Sequence, residues 1–196
     1  MGVDNMTTLF HATEKSQVDQ FLCKPIHIKI PNPLVYNGKK VSNKNPGTLG
    51  YGLYLFSDIE LTQKFLNEKL NKNGKILKFT IFEDVNELDL SNEEHLVVFN
   101  SFKYALLKTP IYNQFKIAFK NKGFQSSLEG AMVDQLLRDK RFLAMFNVNS
   151  VDLIKAMTVT QIEISIGSYL CNGYEFCIKN SKIIKEVDIY EITDKC

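Results

Sequence analysis

Arginine is nearly missing from this chain: Arg138 and Arg141 are the only two among 24 basic Lys and Arg residues. A guanidinium is the side chain best suited to clamp a phosphate or carboxylate, because its planar fork meets two oxygens at once. Here such a clamp has only one short mid-chain segment to come from. Net charge is small as well. The formal value of +2 calls for neither a nucleic-acid nor an anionic-membrane partner. Cys23, Cys171, Cys177 and Cys196 form no CxxC pair, and no His lies at zinc-finger spacing from them. Reduced thiols in a cytoplasmic compartment are therefore expected, and a metal site is not. No apolar run approaches the ~20 residues that span a bilayer. Met1–Thr8 has neither a charged n-region nor an apolar stretch, so no secretory leader is expected. Cytoplasmic residence, or delivery as an effector without a classical signal, fits these absences.

What is present suits one domain, residues 1–196. Hydrophobic residues make up 44% and charged residues 23%, enough to bury a proper core. The pattern predicts a strand at Thr7–His11, a helix at Glu14–Cys23, and a strand at Gly50–Phe56. Between them, Lys24–Leu49 holds four of the five prolines, and so long an irregular segment in a compact domain points to function. Ser57 and Glu60 stand at capping-box spacing before a helix over Asp58–Leu70, as Ser91 and Glu94 do before a helix towards Leu107. Lys75–Glu83 alternates as a strand, with Val85–Leu90 as its extension. Helices are expected at Ile111–Lys120 and Ser127–Phe146, with a further turn or two at Ser150–Ala156. Strands follow at Val159–Ile166, Tyr174–Lys179 and Ile183–Ile192, linked by a loop at Gly167–Gly173. Strands flanking a helical insertion at about 91–157 make an α+β chain.

The most informative local pattern is Gly47-Thr-Leu-Gly50-Tyr-Gly52-Leu-Tyr54-Leu-Phe-Ser-Asp58. Glycines this close let the backbone turn sharply or approach a ligand. No Gly-Lys-Ser/Thr follows, so this is not a phosphate-binding P-loop, and a strand stands where a dinucleotide fingerprint needs a helix. Beside it stands Phe10-His11-Ala12-Thr13 at the end of the first strand.

Together the two segments resemble the diphtheria-toxin-like ADP-ribosyltransferases, poly(ADP-ribose) polymerases included, and the layout looks like a bacterial-type branch of that superfamily. The family's first motif is a strand ending in His-Gly-Ser/Thr; its second is Gly-x-Gly-apolar-Tyr followed by a helix. The resemblance implies a split, antiparallel-rich β-sheet with flanking helices, and NAD as substrate. His11 would then hydrogen-bond a ribose hydroxyl. The Ala12 backbone, at the family's Gly, would pair with the nicotinamide carboxamide. Thr13 and Gly52 complete the two motifs, and Tyr54 would lie on one face of the nicotinamide ring. Thr62 and Phe65 follow Tyr54 by eight and eleven residues, where the family places a hydroxyl and an aromatic. They lie one turn apart on one helix face. Thr62 would donate to the carboxamide, and Phe65 would close a sandwich on the flat, electron-poor ring.

The family's third motif is a Glu opening a late strand, which binds the nicotinamide ribose and steadies the oxocarbenium-like charge as nicotinamide leaves. Asn172-Gly-Tyr174-Glu175-Phe-Cys-Ile-Lys179 is the matching strand, and Glu175 is its only acid. Aligning the downstream polar residue instead sets Tyr174 at that place, and a one-residue slip reverses which side chain faces the pocket. Both registers stay open. A Gln161-Ile-Glu163 pair also occurs, as in another ADP-ribosyltransferase branch. That branch needs an arginine on its first strand, so Glu163 reads as a strand's exposed face. RNA 2′-phosphate transfer shares the fold but leans on arginines around the phosphate, and two arginines on one mid-chain helix argue against it. The expectation is transfer of ADP-ribose from NAD to a macromolecule, protein rather than nucleic acid, or to water. The alternative is a catalytically weak or inactive module binding NAD, ADP-ribose or a protein.

Overall fold

The computed structural model describes residues 5–23, 25–119, 125–158 and 173–191. Its elements begin with β1 Met6–Glu14, α1 Val18–Leu22, β2 Val35–Tyr36, β3 Lys39–Lys40, β4 Leu53–Phe56, α2 Ile59–Lys69 and β5 Gly74–Phe82. They continue with β6 Glu87–Asp89, α3 Glu93–Leu107, α4 Pro110–Phe119, α5 Gln125–Leu136 and α6 Lys140–Met145, then β7 Leu153–Thr158, β8 Gly173–Ile178 and β9 Ile184–Tyr190. Among the described residues, seven strands form one mixed sheet in the order β6-β7-β8-β4-β1-β5-β9, and β2 and β3 form a separate ribbon. With six α-helices among the described residues, the architecture is mixed α+β.

Alternation along the strands sets the layers, because residues two apart share a face. Leu9, Leu53, Leu55, Leu77, Phe79, Phe176 and Ile178 form one core with Val18 and Ile26. Ile154, Ala156 and Cys177 turn to the opposite face, where Phe99, Phe102, Phe115, Phe119 and Leu136 of α3–α5 cover them. On α2, Leu66 packs against Ala12 and Ile76. Each fully buried Leu or Phe contributes about 1.5–3 kcal/mol. A surface pair such as Arg141–Asp139 is worth far less. The two apolar layers therefore hold the sheet.

Several sequence expectations are corrected. Val85–Leu90 does not extend β5: a tight turn, with Val85 N–H donating to the Glu83 carbonyl, redirects the chain. Glu87–Asp89 then pairs in parallel with β7 at the far edge of the sheet. Residues 153–156 are strand, not a helical turn, because β6 and β8 offer ladders on both sides. Ser127–Phe146 is two helices. Asp139 breaks it by accepting from Arg141 N–H as the N-cap of α6, the role that suits a short side chain able to bond nearby backbone. The caps of α2 and α3 are Asp58 and Asn92, one residue after the serines expected, each accepting from two backbone N–H groups. Apart from Gly173, the strand expected at Val159–Ile166 and the Gly167–Gly173 link, with Gln161 and Glu163, lie outside the described residues.

Candidate functional site

The sheet is forked. β1 and β4 are antiparallel neighbours, yet they pair at one position only, Phe10 with Phe56. Continued in register, His11–Glu14 would face Leu55–Gly52. Instead β1 stays bonded to β5 along its whole length, and β4 to β8, while the space between β1 and β4 opens. His11, Ala12, Thr13 and Glu14 line one prong, and Gly50–Tyr54 the other, of a cavity of about 1000 Å³. The segments 26–32 and 41–45 wall it, with Phe65 and Leu70 from the α2 side. A cavity this size is at the upper end of small-ligand sites.

His11 bridges the fork. Its Nδ1 lies 2.7 Å from the Tyr54 carbonyl oxygen. A carbonyl only accepts, so Nδ1 carries the proton and Nε2 keeps its lone pair. The ring packs edge-on against Phe21 at 5.1 Å and Phe79 at 6.3 Å. Burial, the main cause, lowers its pKa to about 4; the bond to Tyr54 opposes the fall and the Lys44 charge adds to it. The imidazole is thus neutral at physiological pH, with an acceptor nitrogen free for a ligand hydroxyl. Its unfolded value is near 6.5, so between 6.5 and 4 the unfolded chain binds the extra proton. Stability therefore falls as pH drops through that window. Urea melts at about pH 7 and 4.5 should show His11→Gln losing less stability on acidification than the parent chain.

Tyr54 has two functions. The residue lines the cavity, while its hydroxyl donates to the Gly50 carbonyl at 2.7 Å and accepts from Leu49 N–H at 2.8 Å. The phenol therefore closes the glycine loop, and burial holds its pKa well above the usual value. Ala12, Thr13, Gly52 and Phe65 also line the cavity. The Ala12 methyl packs into the α2 layer with Leu66 and Ile76. Phe65 meets Phe56 at 5.8 Å. Thr62 stands elsewhere: it is fully buried, and its hydroxyl donates back to the Asp58 carbonyl at 2.7 Å. It does not line the cavity.

Strand β8 lies on the other side of β4. Glu175 opposes Phe56, level with the closed end of the fork, and Cys177 opposes Tyr54. By alternation Glu175 shares its face with Cys177 and Tyr54, whereas Tyr174 shares the face of Leu53, Leu55 and His11. Neither Tyr174 nor Glu175 lines the cavity. The Tyr174 ring instead lies 5.1 Å from the Lys155 ammonium.

Sequence reasoning missed the group that shapes the second prong. Lys179 Nζ donates to the carbonyls of Leu49 (2.7 Å) and Tyr51 (2.6 Å) and to Asp134 Oδ1 (2.9 Å). Asp134 Oδ2 accepts from Tyr51 N–H at 2.7 Å. The two side chains are 3% and 0% exposed. Burial raises the Asp134 pKa, against the pull of Lys179 and the Tyr51 N–H. Gly50 adopts φ +87°, and a Cβ there would overlap the Asp134 carboxylate. A Cβ on Gly130 of α5 would overlap the Gly47 carbonyl oxygen. The only signals available were a Lys ending a largely apolar strand and an Asp following the apolar run Ala131–Val133.

Among the described residues, no group of three or more His, Cys, Asp or Glu side chains is placed to hold a metal. None of their helices is long and apolar enough to cross a membrane. Compared with family models, curated proteins and solved structures, the chain matches none of them.

Proposed function

We propose that the fork is the NAD cleft of an ADP-ribosyltransferase-like domain, and that the protein cleaves the nicotinamide–ribose bond. ADP-ribose then passes to a macromolecular acceptor, a protein rather than a nucleic acid, or to water. One observation carries this reading. The sheet splits where both motifs lie, so His11, Ala12, Thr13, Gly52, Tyr54 and Phe65, far apart in sequence, line one cavity. In this reading the flat nicotinamide rests against Tyr54 and Phe65, the Ala12 backbone meets its carboxamide, and His11 Nε2 accepts from a ribose hydroxyl. Holding the ribose in this way favours its oxocarbenium-like transition state, and a carboxylate nearby would steady the charge. Glu175 is the acid assigned that role, acting from the closed end of the fork.

A second reading, NAD or ADP-ribose binding without turnover, draws on one observation of its own: neither Glu175 nor Tyr174 lines the cavity. Nicotinamide release from labelled NAD, with and without cell lysate, separates the two. The enzyme releases nicotinamide, and His11→Ala and Tyr54→Ala each lower release at least about ten-fold, the loss of one interaction of roughly 1.4 kcal/mol. Calorimetric NAD binding without release, unchanged in Glu175→Gln, establishes the binding module instead.

A further inference from the structure

We infer that the cleft selects phosphate-bearing ligands through Lys44, an exposed lysine whose backbone is pinned in a turn at the cavity wall. This rests on reading the fork as a ligand site, but not on the ligand being NAD.

The cavity has three formally charged lining side chains: Glu14, Lys29 and Lys44. Both lysines lack an acidic partner within salt-bridge distance among the described residues, where the pairs are Arg141–Asp139, Lys155 with Glu87 and Asp89, and Lys179–Asp134. His11 adds no positive charge at neutral pH, because its pKa lies near 4. Cations without counter-ions at the wall of a concave site raise the local concentration of anions and favour an anionic ligand over a neutral one.

Neither arginine offers that charge. Arg141 pairs with Asp139 on the surface. Arg138 donates to the Pro31 carbonyl behind the cavity wall. The anion-binding function falls to lysine, a point charge that tolerates varied phosphate geometry.

Lys44 is distinguished from Lys29 by how its backbone is held. Its N–H donates to Ser42 Oγ at 3.2 Å, and its carbonyl accepts from the Tyr51 hydroxyl at 2.8 Å. Across the same turn, Lys40 Nζ donates to the Asn43 carbonyl at 3.2 Å and to Asn45 Oδ1 at 2.9 Å. The turn is thus tied to the glycine loop through Tyr51, which carries the Asp134 bond. The Lys44 charge also reaches His11, whose pKa it lowers. Lys44 and His11 line the same cavity, so the inference assigns an anionic group beside the first and a hydroxyl on the second to one ligand.

The test is calorimetry on the full chain with ADP-ribose, inorganic pyrophosphate, adenosine and nicotinamide as probes. Lys44→Gln is compared with Lys39→Gln, an exposed lysine outside the cavity that controls for overall charge. ADP-ribose or pyrophosphate should bind more tightly than either neutral probe, with affinity falling as salt rises. Lys44→Gln should weaken the phosphate probes about ten-fold, the loss of one charge-assisted contact, and leave the neutral probes and the Lys39→Gln affinities unchanged. Equal phosphate affinity in parent and Lys44→Gln overturns the inference, as does an equal loss in Lys39→Gln, or no phosphate probe binding at all. Pyrophosphate binding lost in Lys44→Gln, with no NAD binding, upholds it while removing the NAD reading. NAD binding indifferent to Lys44→Gln does the reverse.

Discussion

Lys179→Met is expected to destabilise the fold by about 3–5 kcal/mol, the usual cost of leaving one partner of a buried ion pair alone. The substitution strands the Asp134 carboxylate, which is fully buried. It also removes the donor shared by the Leu49 and Tyr51 carbonyls. Urea denaturation measures the loss, and a double-mutant cycle identifies its source. Lys179→Met with Asp134→Leu should be less destabilised than the two single changes added together, because no charge then remains buried. Additive losses would mean that the pair is not coupled. Since the stranded groups hold the second prong, ADP-ribose affinity should fall in the single variant too.

Gly130→Ala is the second large effect. The added methyl of α5 would overlap the Gly47 carbonyl oxygen, a backbone atom that no rotamer change can move aside. Either α5 or the glycine loop must shift, and such overpacking costs about 1–3 kcal/mol or more. For a chain of this size that is a drop in melting temperature of roughly 2–12 °C. Thermal melts check it, and an unchanged melting temperature would show that the helix and loop are not locked together. Gly130 lies inside α5, where alanine's helix propensity alone would raise stability by roughly 1 kcal/mol, so the sign of the change is decisive.

Local patterning made most elements legible, because β1, β4, β5, α2, α3 and α4 each carry their own periodicity and stop signals. The caps slipped by one residue because Ser57-Asp58 and Ser91-Asn92 both offer side chains able to cap, and the strand-like backbone placed the second of each pair at the helix entry. β6 could not be placed. Its partner β7 lies more than sixty residues onward, as Glu87 with Leu153 shows, and a parallel pair leaves no hairpin signal. The cavity lining was readable because glycines and a strand-end histidine mark it in sequence. The buried pair Asp134–Lys179 was not, since each residue looks like an ordinary polar interruption until the fold joins them. Nor was the Thr62 hydroxyl, which a helix lets turn back to its own carbonyl four residues earlier. The choice between Tyr174 and Glu175 was posed as a matter of register, yet Glu175 lies level with the closed end of the fork and Tyr174 one residue beyond it. What decides their relation to the cavity is position along β4, which pairing alone reveals.

The single rung between Phe10 and Phe56 has a mechanical meaning. Within the sheet, β6-β7-β8-β4 is one leaf and β1-β5-β9 another, each laced by ladders of several rungs, with one register shift between β5 and β9 at Thr80–Ile81. Hydrogen bonds between the strands of the two leaves are those of one rung and of His11 with Tyr54, while Leu9, Leu77 and Phe79 share an apolar core with Leu53, Leu55 and Phe176. Splaying them breaks far fewer hydrogen bonds than bending either, so the seam is where the sheet's backbone hydrogen bonding is thinnest, with the cavity beside it. A ligand that pulls His11 away from the Tyr54 carbonyl would leave the Phe10–Phe56 rung and the apolar core to hold the two leaves together.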